Sequence, residues 1–467
     1  MHRPRSLTEG SISRGLAKFS LPILLANVLQ SLNGSVNSIW VGRFLGEAAL
    51  TATSNANTVM FLLIGAAFGI AMAATILVAH NVGANNLPAT KTVVGTSATF
   101  FAAVSIVIAI AGQLVCEPLL VLMHTPPDSL SLAVAYMRVI FLAVPCLYMY
   151  AFVMSVLRGA GDSRTPFYFM LLSVAIDIGL NPVLIFGVGP IPKLGIAGSA
   201  WATFISQAIS LTALVRHLYK RNHMLVLHRG ELAMLRIDWS IVRTLVFKGI
   251  PMSGQMLVLS LSGVLMISLA NRFGVDTTAA YGASLQLWNY ILMPALAIGM
   301  GASSMAAQNV GAGKWDRVRA IARIGVVYNV LVIGVVVLLM EVFNTSLYEL
   351  FLPSGSHALE IAGHINREAT WSFIFFGISM TLFGVVRATG AVMAPFIALA
   401  IALLGVRYPL AEFMLDRWQS DAIWWSFPIS SALTTVMAVL YYKYGGWRSM
   451  HLEGAHDKPA APSTESA

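Results

Sequence analysis

Apolar residues gather in twelve blocks, at about 18–40, 51–79, 92–114, 132–157, 166–188, 195–217, 243–270, 278–307, 319–341, 367–386, 391–414 and 422–444, with short polar segments between them. A helix needs about 20 such residues to cross a bilayer, so each block is long enough to span. Two-residue alternation is absent, which argues against a barrel, and irregular backbone is not tolerated against lipid. The pattern predicts an all-α polytopic membrane protein with twelve transmembrane helices.

Composition agrees. Of 467 residues, 57% are apolar and 10% are charged, against about 45–50% and about 25% in soluble domains. Mean hydropathy is +0.76. A soluble globular protein and a disulfide scaffold are excluded, and the two cysteines, Cys116 and Cys146, read as free packing thiols. The first apolar block carries Asn27, Gln30, Asn33 and Asn37, too polar and too long for a signal peptide. The segment after Leu452 reads as a disordered tail.

The net charge of +9 is informative by position. Placing the N-terminus in the cytoplasm puts 22 of the 29 Lys and Arg on the cytoplasmic side, which predicts both termini inside. This pattern points to a membrane rather than a nucleic-acid partner. The longest connection, Arg216 to Lys248, is strongly basic and divides the spans into two sets of six. The expected organisation is a cytoplasmic N-terminus at 1–17, a first lobe at 18–217, a cytoplasmic linker at 218–242, a second lobe at 243–445 and a cytoplasmic tail at 446–467.

The halves repeat. Asn81-Val82-Gly83-Ala84 returns as Asn309-Val310-Gly311-Ala312, at an offset of 228. Pro22 returns as Pro251, Arg43-Phe44 as Arg272-Phe273, and Thr165-Pro166-Phe167 as Ala394-Pro395-Phe396, all at 229. Six spans separate equivalents, so the lobes share one orientation. That is the parallel-repeat plan of transporters, with pseudo-symmetric six-helix bundles on either side of a cleft.

These segments resemble the multidrug and toxic compound extrusion (MATE) family, with its DinF-like branch as a candidate placement. The resemblance rests on Val36-Asn37-Ser38-Ile39-Trp40-Val41-Gly42-Arg43, the two Asn-Val-Gly-Ala turns, Leu157-Arg158-Gly159-Ala160-Gly161-Asp162, Asn181-Pro182-Val183-Leu184-Ile185-Phe186-Gly187 and Val406-Arg407-Tyr408-Pro409-Leu410. It covers about residues 15 to 445. It implies a secondary antiporter that exports amphipathic, cationic organic compounds by alternating access in exchange for H⁺ or Na⁺. It implies no enzyme activity, no cofactor beyond the ion gradient and no bound metal. The chain departs from the family's pattern in span 1, where Asn37 stands in place of an Asp. In span 5 the order is Asp177 then Asn181.

Asp177 is the sharpest candidate for coupling. It falls near the middle of span 5, with Ser173 and Asn181 one turn away on the same face. An ionised acid at that depth costs at least about 2.5–3.5 kcal/mol, so a cavity, a cation or a proton must offset it. The alternative is a structural acid hydrogen-bonded between helices. Asn27, Gln30, Asn33 and Asn37 form one helical stripe in span 1 that should face the interior, with Asn33 and Asn37 near Asp177. Thr203 in span 6 matches a hydroxyl position that resembles the family's proton network. The second half has no copy of this acid. There Arg407 and Glu412 are expected to pair or to snorkel outward. Gln30, Tyr281, Trp288, Phe373 and Arg407 are the candidate substrate-cavity residues.

Trp40, Trp418, Trp424 and Trp425 read as an interfacial belt. Arg158 and Arg387 read as binding helix-end carbonyls, and His80 as an isolated helix-end residue. No zinc-protease, Walker or Cys-x-x-Cys motif occurs. Two alternatives remain: a lipid-linked oligosaccharide flippase, which needs basic residues at mid-depth of the first half, and an intramembrane enzyme, which needs a paired constellation. One carboxylate among amides favours H⁺ over Na⁺. The remaining expectations are a bacterial inner membrane, small-molecule substrates, contact with the bilayer and a monomer.

Overall fold

The computed structural model describes residues 6–187, 189 and 192–450. The tail after Leu452, residues 1–5, and the side chains of Glu47 and Leu50 lie outside the described residues. Among the described residues, twelve helices are long and apolar enough to cross a membrane. They are α1 (Ile12–Leu45), α2 (Thr51–Gly83), α3 (Leu87–Leu122), α4 (Pro127–Gly159), α5 (Arg164–Phe186), α6 (Ile196–Lys220), α7 (Trp239–Phe273), α8 (Val275–Gly311), α9 (Trp315–Val342), α10 (His357–Arg387), α11 (Met393–Trp418) and α12 (Asp421–Tyr444). Every apolar block of the sequence is a helix. Most helices outrun their blocks, and polar caps start some of them outside the apolar region. Ser11 accepts from Arg14 N to begin α1, and Asp238 accepts from Ser240 N to begin α7. At 1.5 Å per residue, the 34 residues of α1 measure about 50 Å, well beyond the about 30 Å of hydrocarbon.

The packing repeats as the sequence does. In the first lobe α2 packs on α3 and α4, α4 on α3 and α6, and α5 on α6. In the second lobe α8 packs on α9 and α10, α10 on α9 and α12, and α11 on α12. The first helix of each lobe crosses to the other, so α1 packs on α8 and α7 on α2.

Contacts between the lobes run from mid-helix to the face that carries both described ends of the chain. Ser253 donates to the carbonyl of Ala66 at 3.0 Å. Closer to that face, His80 Nε2 meets the carbonyl of Ala388, and Gln308 Nε2 donates to the carbonyl of Gly159 at 2.8 Å. His80 is therefore part of an inter-lobe contact and not an isolated helix end. The N-terminal segment is stitched over the same place. Leu7 N donates to Gln308 Oε1 at 3.2 Å, Asn309 Nδ2 to Leu7 O at 3.1 Å, and Lys314 Nζ to Thr8 O at 3.1 Å. Arg387 differs from the helix-end reading: its NH1 donates to the side-chain Oε1 of Gln255 at 2.8 Å.

The connection between α6 and α7 holds a 3₁₀ turn, Arg229–Leu235, and is fastened to α3. Buried Lys91 gives its ammonium to both oxygens of Glu231 at 2.6 Å. Thr99 donates to Leu235 O at 2.7 Å, and Thr96 to Arg236 O at 3.1 Å. His228 N also donates to Glu231, at 3.0 Å. That backbone bond and the Lys91 contact hold the Glu231 carboxyl below its ordinary range.

Candidate functional site

Asp177 lies on α5, is 2% exposed, and gathers donors from three helices. Asn33 Nδ2 of α1 donates to its Oδ2 at 2.8 Å, and Asn37 Nδ2, one turn further along α1, donates to the same oxygen at 2.9 Å. Thr203 of α6 donates to Oδ1 at 3.3 Å. Asn181, one turn along α5, is 3.5 Å from Oδ1 and donates to Asn37 Oδ1 at 2.9 Å. The four-residue spacing of Asn33 and Asn37 puts both amides on one side of α1, so two consecutive turns reach one carboxylate. Asp177, Asn33, Asn37, Asn181 and Thr203 thus form one connected cluster in the first lobe. Donors dominate it, which stabilises the ionised carboxylate.

Two acceptors in the cluster have no partner among the described residues. Asn33 Oδ1 and Asn181 Oδ1 are both buried and unbonded. An orphaned buried acceptor is costly unless something donates to it or a cation occupies the place. Both atoms belong to residues that also touch or adjoin Asp177. The site therefore holds a carboxylate, donors that satisfy it, and spare acceptors for a proton or a small cation.

Tyr136 of α4 was not legible in the sequence. It is buried and close enough to interact electrostatically with Asp177. Its block is nearly uniformly apolar, so no polar stripe marks it. Of the span 1 stripe only Asn33 and Asn37 join the cluster; Asn27 and Gln30 make no hydrogen bond among the described residues, and Gln30 is exposed.

In the second lobe Tyr281, Trp288 and Phe373 close on one another. Trp288 lies 6.0 Å from Tyr281, 5.3 Å from Phe373 and 5.0 Å from Phe427, ring centre to ring centre. Its indole N–H donates to Thr370 Oγ1 at 2.9 Å. Trp424 packs on Tyr281 at 5.5 Å and is fully buried. It therefore belongs to this interior cluster and not to the interfacial belt, because its position near a helix end says nothing about the direction it faces. Arg407 and Glu412 do not pair. Glu412 takes Arg272 at 2.8 Å, while Arg407 Nε donates to Ser430 at 2.8 Å and its guanidinium sits 4.4 Å over the Phe427 ring.

A cavity of about 720 Å³ opens near the face that carries the chain ends, lined by Arg14, Lys18, Arg164 and Arg221 together with Tyr168 and Phe169.

A family model described as MatE matches residues 22–183 and 251–412. The chain belongs to the MatE family. Both the starts and the ends of the two matched segments are 229 residues apart, the offset of the sequence repeat. The chain is 36% identical over 440 residues to the probable multidrug resistance protein YoeA of Bacillus subtilis, covering 94% of this chain and 95% of that one. It is 30% identical over 446 residues to the probable multidrug resistance protein YpnP of the same organism, covering 95% and 98%. A solved structure described as the outward-facing conformation of a MATE family transporter superimposes with a TM-score of 0.87 at 18% identity, over 95% of this chain and 98% of that one. The MatE chain is thus an integral membrane transporter of twelve helices in two pseudo-symmetric bundles, and not an enzyme.

Proposed function

We propose that this MatE protein is a multidrug antiporter that exports amphipathic organic compounds, cationic ones among them, by alternating access, with Asp177 as the coupling group. The observation that carries the reading is the convergence of Asn33, Asn37 and Thr203, from two other helices, on one buried carboxylate. Naming of its relatives as multidrug resistance proteins supports the export of drugs. Inter-lobe contacts that run from mid-helix to the face of the chain ends support an outward-facing state, the excess of Lys and Arg on that face supports its being cytoplasmic, and the bacterial relatives support a bacterial inner membrane. The unit of transport is one chain.

H⁺ is the coupling ion. The ionised Asp177 is satisfied by its donors. A proton turns one carboxylate oxygen into a donor, which needs an acceptor in place of an amide N–H. Asn33 Oδ1 and Asn181 Oδ1 are spare acceptors beside it, so turning over an amide accommodates the protonated state. The same oxygens favour Na⁺ as a second reading, since a hard cation takes oxygen ligands. Purified protein in vesicles, given a pH gradient or a Na⁺ gradient separately, decides between them. Substrate efflux that follows ΔpH at zero Na⁺ gradient supports the proton. Efflux that follows only the Na⁺ gradient supports the cation, and efflux indifferent to both would overturn the antiport reading.

A further inference from the structure

The second lobe holds a charge of the opposite sign with no acid beside it. The nearest acid along its own helix, Glu412, is occupied by Arg272. Arg407 spends one of its nitrogens on Ser430, and its two terminal nitrogens have no partner among the described residues. Two more donors in the same cluster are buried and unbonded: the Tyr281 hydroxyl and the Trp424 indole N–H. Tyr281 is 0% exposed and close enough to Arg407 to interact with it electrostatically. Tyr281 and Arg407 also share the Phe427 ring, at 6.3 Å and 4.4 Å. A cation and two orphaned donors, with no acid among them, lack one thing, an anion.

The backbone is built to aim this arginine. Residues Ile401–Arg407 form a π-helix, a rare element that adds a residue to a helical turn and is frequent at functional sites. Arg407 lies one position past the point to which the repeat offset carries Asp177. The wider turn brings it onto the neighbouring helix as Asp177 is brought onto its own. Asp177 touches α6 through Thr203, and Arg407 touches α12 through Ser430. The two lobes thus carry equivalent charged positions of opposite sign.

We propose that Arg407, Tyr281 and Trp424 form an oxyanion site in the second lobe that takes a carboxylate. A guanidinium fork matches the two oxygens of a carboxylate. The surrounding rings favour a carboxylate carried on an aromatic body over a free small anion. The inference rests on the transport reading only for the origin of the ligand. It adds compounds that bear an acidic group to those carried.

The test is equilibrium binding of radiolabelled benzoate to the full-length protein in lipid nanodiscs, with no gradient imposed. Saturable binding, displaced by unlabelled benzoate but not by the neutral isostere benzamide, is expected. Arg407→Gln should weaken it by about tenfold or more, and Tyr281→Phe, which keeps the ring, by about threefold to tenfold. Acetate distinguishes the source. Displacement about tenfold weaker than by benzoate supports an aromatic carried acid, and equal displacement supports the site with a free small carboxylate as its occupant. No saturable binding, equal displacement by benzamide, or parental affinity in both variants would overturn the proposal. A protein that binds benzoate but drives no efflux refutes the transport reading and leaves the site standing; the reverse result does the opposite.

Discussion

His80 and Gln308 are repeat equivalents, and each reaches across to the turn of the opposite lobe, His80 to the carbonyl of Ala388 and Gln308 to that of Gly159. The glycines that follow make the crossing close. A Cβ on Gly83 would stand 1.9 Å from the Gln308 carbonyl oxygen, and one on Gly311 would stand 2.1 Å from that of His80. Backbone faces backbone at both places, so neither side has a flexible end to move. The closed face is a two-fold latch made from the two Asn-Val-Gly-Ala turns.

Gly83→Ala should therefore open the latch. The methyl group cannot be accommodated without separating α2 from α8, at a cost of about 1–3 kcal/mol typical of overpacking. Spin labels at Pro88→Cys and Asp316→Cys, both exposed and just past the latch, should report a longer distance in the Gly83→Ala background. Gln308→Ala removes two hydrogen bonds, to Leu7 N and to the Gly159 carbonyl, and should give a smaller shift, about 1–2 kcal/mol in the equilibrium. An unchanged distance distribution in Gly83→Ala would contradict the latch.

Asp177→Asn keeps the shape of the side chain and removes the titrating group. Coupled efflux should vanish while expression and insertion persist. Each charge that crosses brings about 2.3 kcal/mol per 100 mV, equivalent to about a fiftyfold gradient. A carrier without it only equilibrates its substrate. Asn37→Ala and Thr203→Val each remove one donor and should slow ΔpH-driven efflux without abolishing it. Wild-type efflux from Asp177→Asn vesicles would mean that the acid is structural.

The linker should respond to acid. Glu231 is held below its ordinary value of 4.5, so its share of the fastening is fully present above 4.5 and is lost as pH falls through the lower value of the folded state. A spin label at Gly230→Cys should gain mobility as the pH drops below 4.5. Adding Glu231→Gln should give the mobile spectrum at neutral pH and remove the acid response.

The orientation has its own check. Gly230→Cys in a background with Cys116 and Cys146 replaced by Ala should resist a membrane-impermeant maleimide in intact cells and react after permeabilisation. Labelling of intact cells would place the linker outside.

The twelve helices, the repeat and the Asp177 cluster were legible because each has a linear signature. Span length is a count, the repeat is an offset, and Asn33 with Asn37, like Asp177 with Asn181, keep a four-residue helical spacing. What stayed hidden depends on rotation about a helix axis. Arg407 follows a π-helix that breaks the 3.6-residue count, so its partner Ser430 does not follow from spacing. Trp424 sits at the right depth for a belt and faces inward. Tyr136 is one aromatic among many and is marked only by what lies across from it. His80 and Gln308 find partners more than a hundred positions away, where no periodicity reaches.

The fastening of the linker to α3 changes the mechanics of the whole molecule. Thr96 accepts from Asp238 N at 3.4 Å, one residue before α7 begins. The first helix of the second lobe is thereby pinned at its origin to the first lobe. The connection is then a fulcrum with no slack to take up. With α7 as the lever arm, about 50 Å long at 1.5 Å per residue, a tilt of about 10° sweeps its far end through about 9 Å. Small angular changes at Asp238 become large openings at the opposite face, while the fulcrum itself scarcely moves.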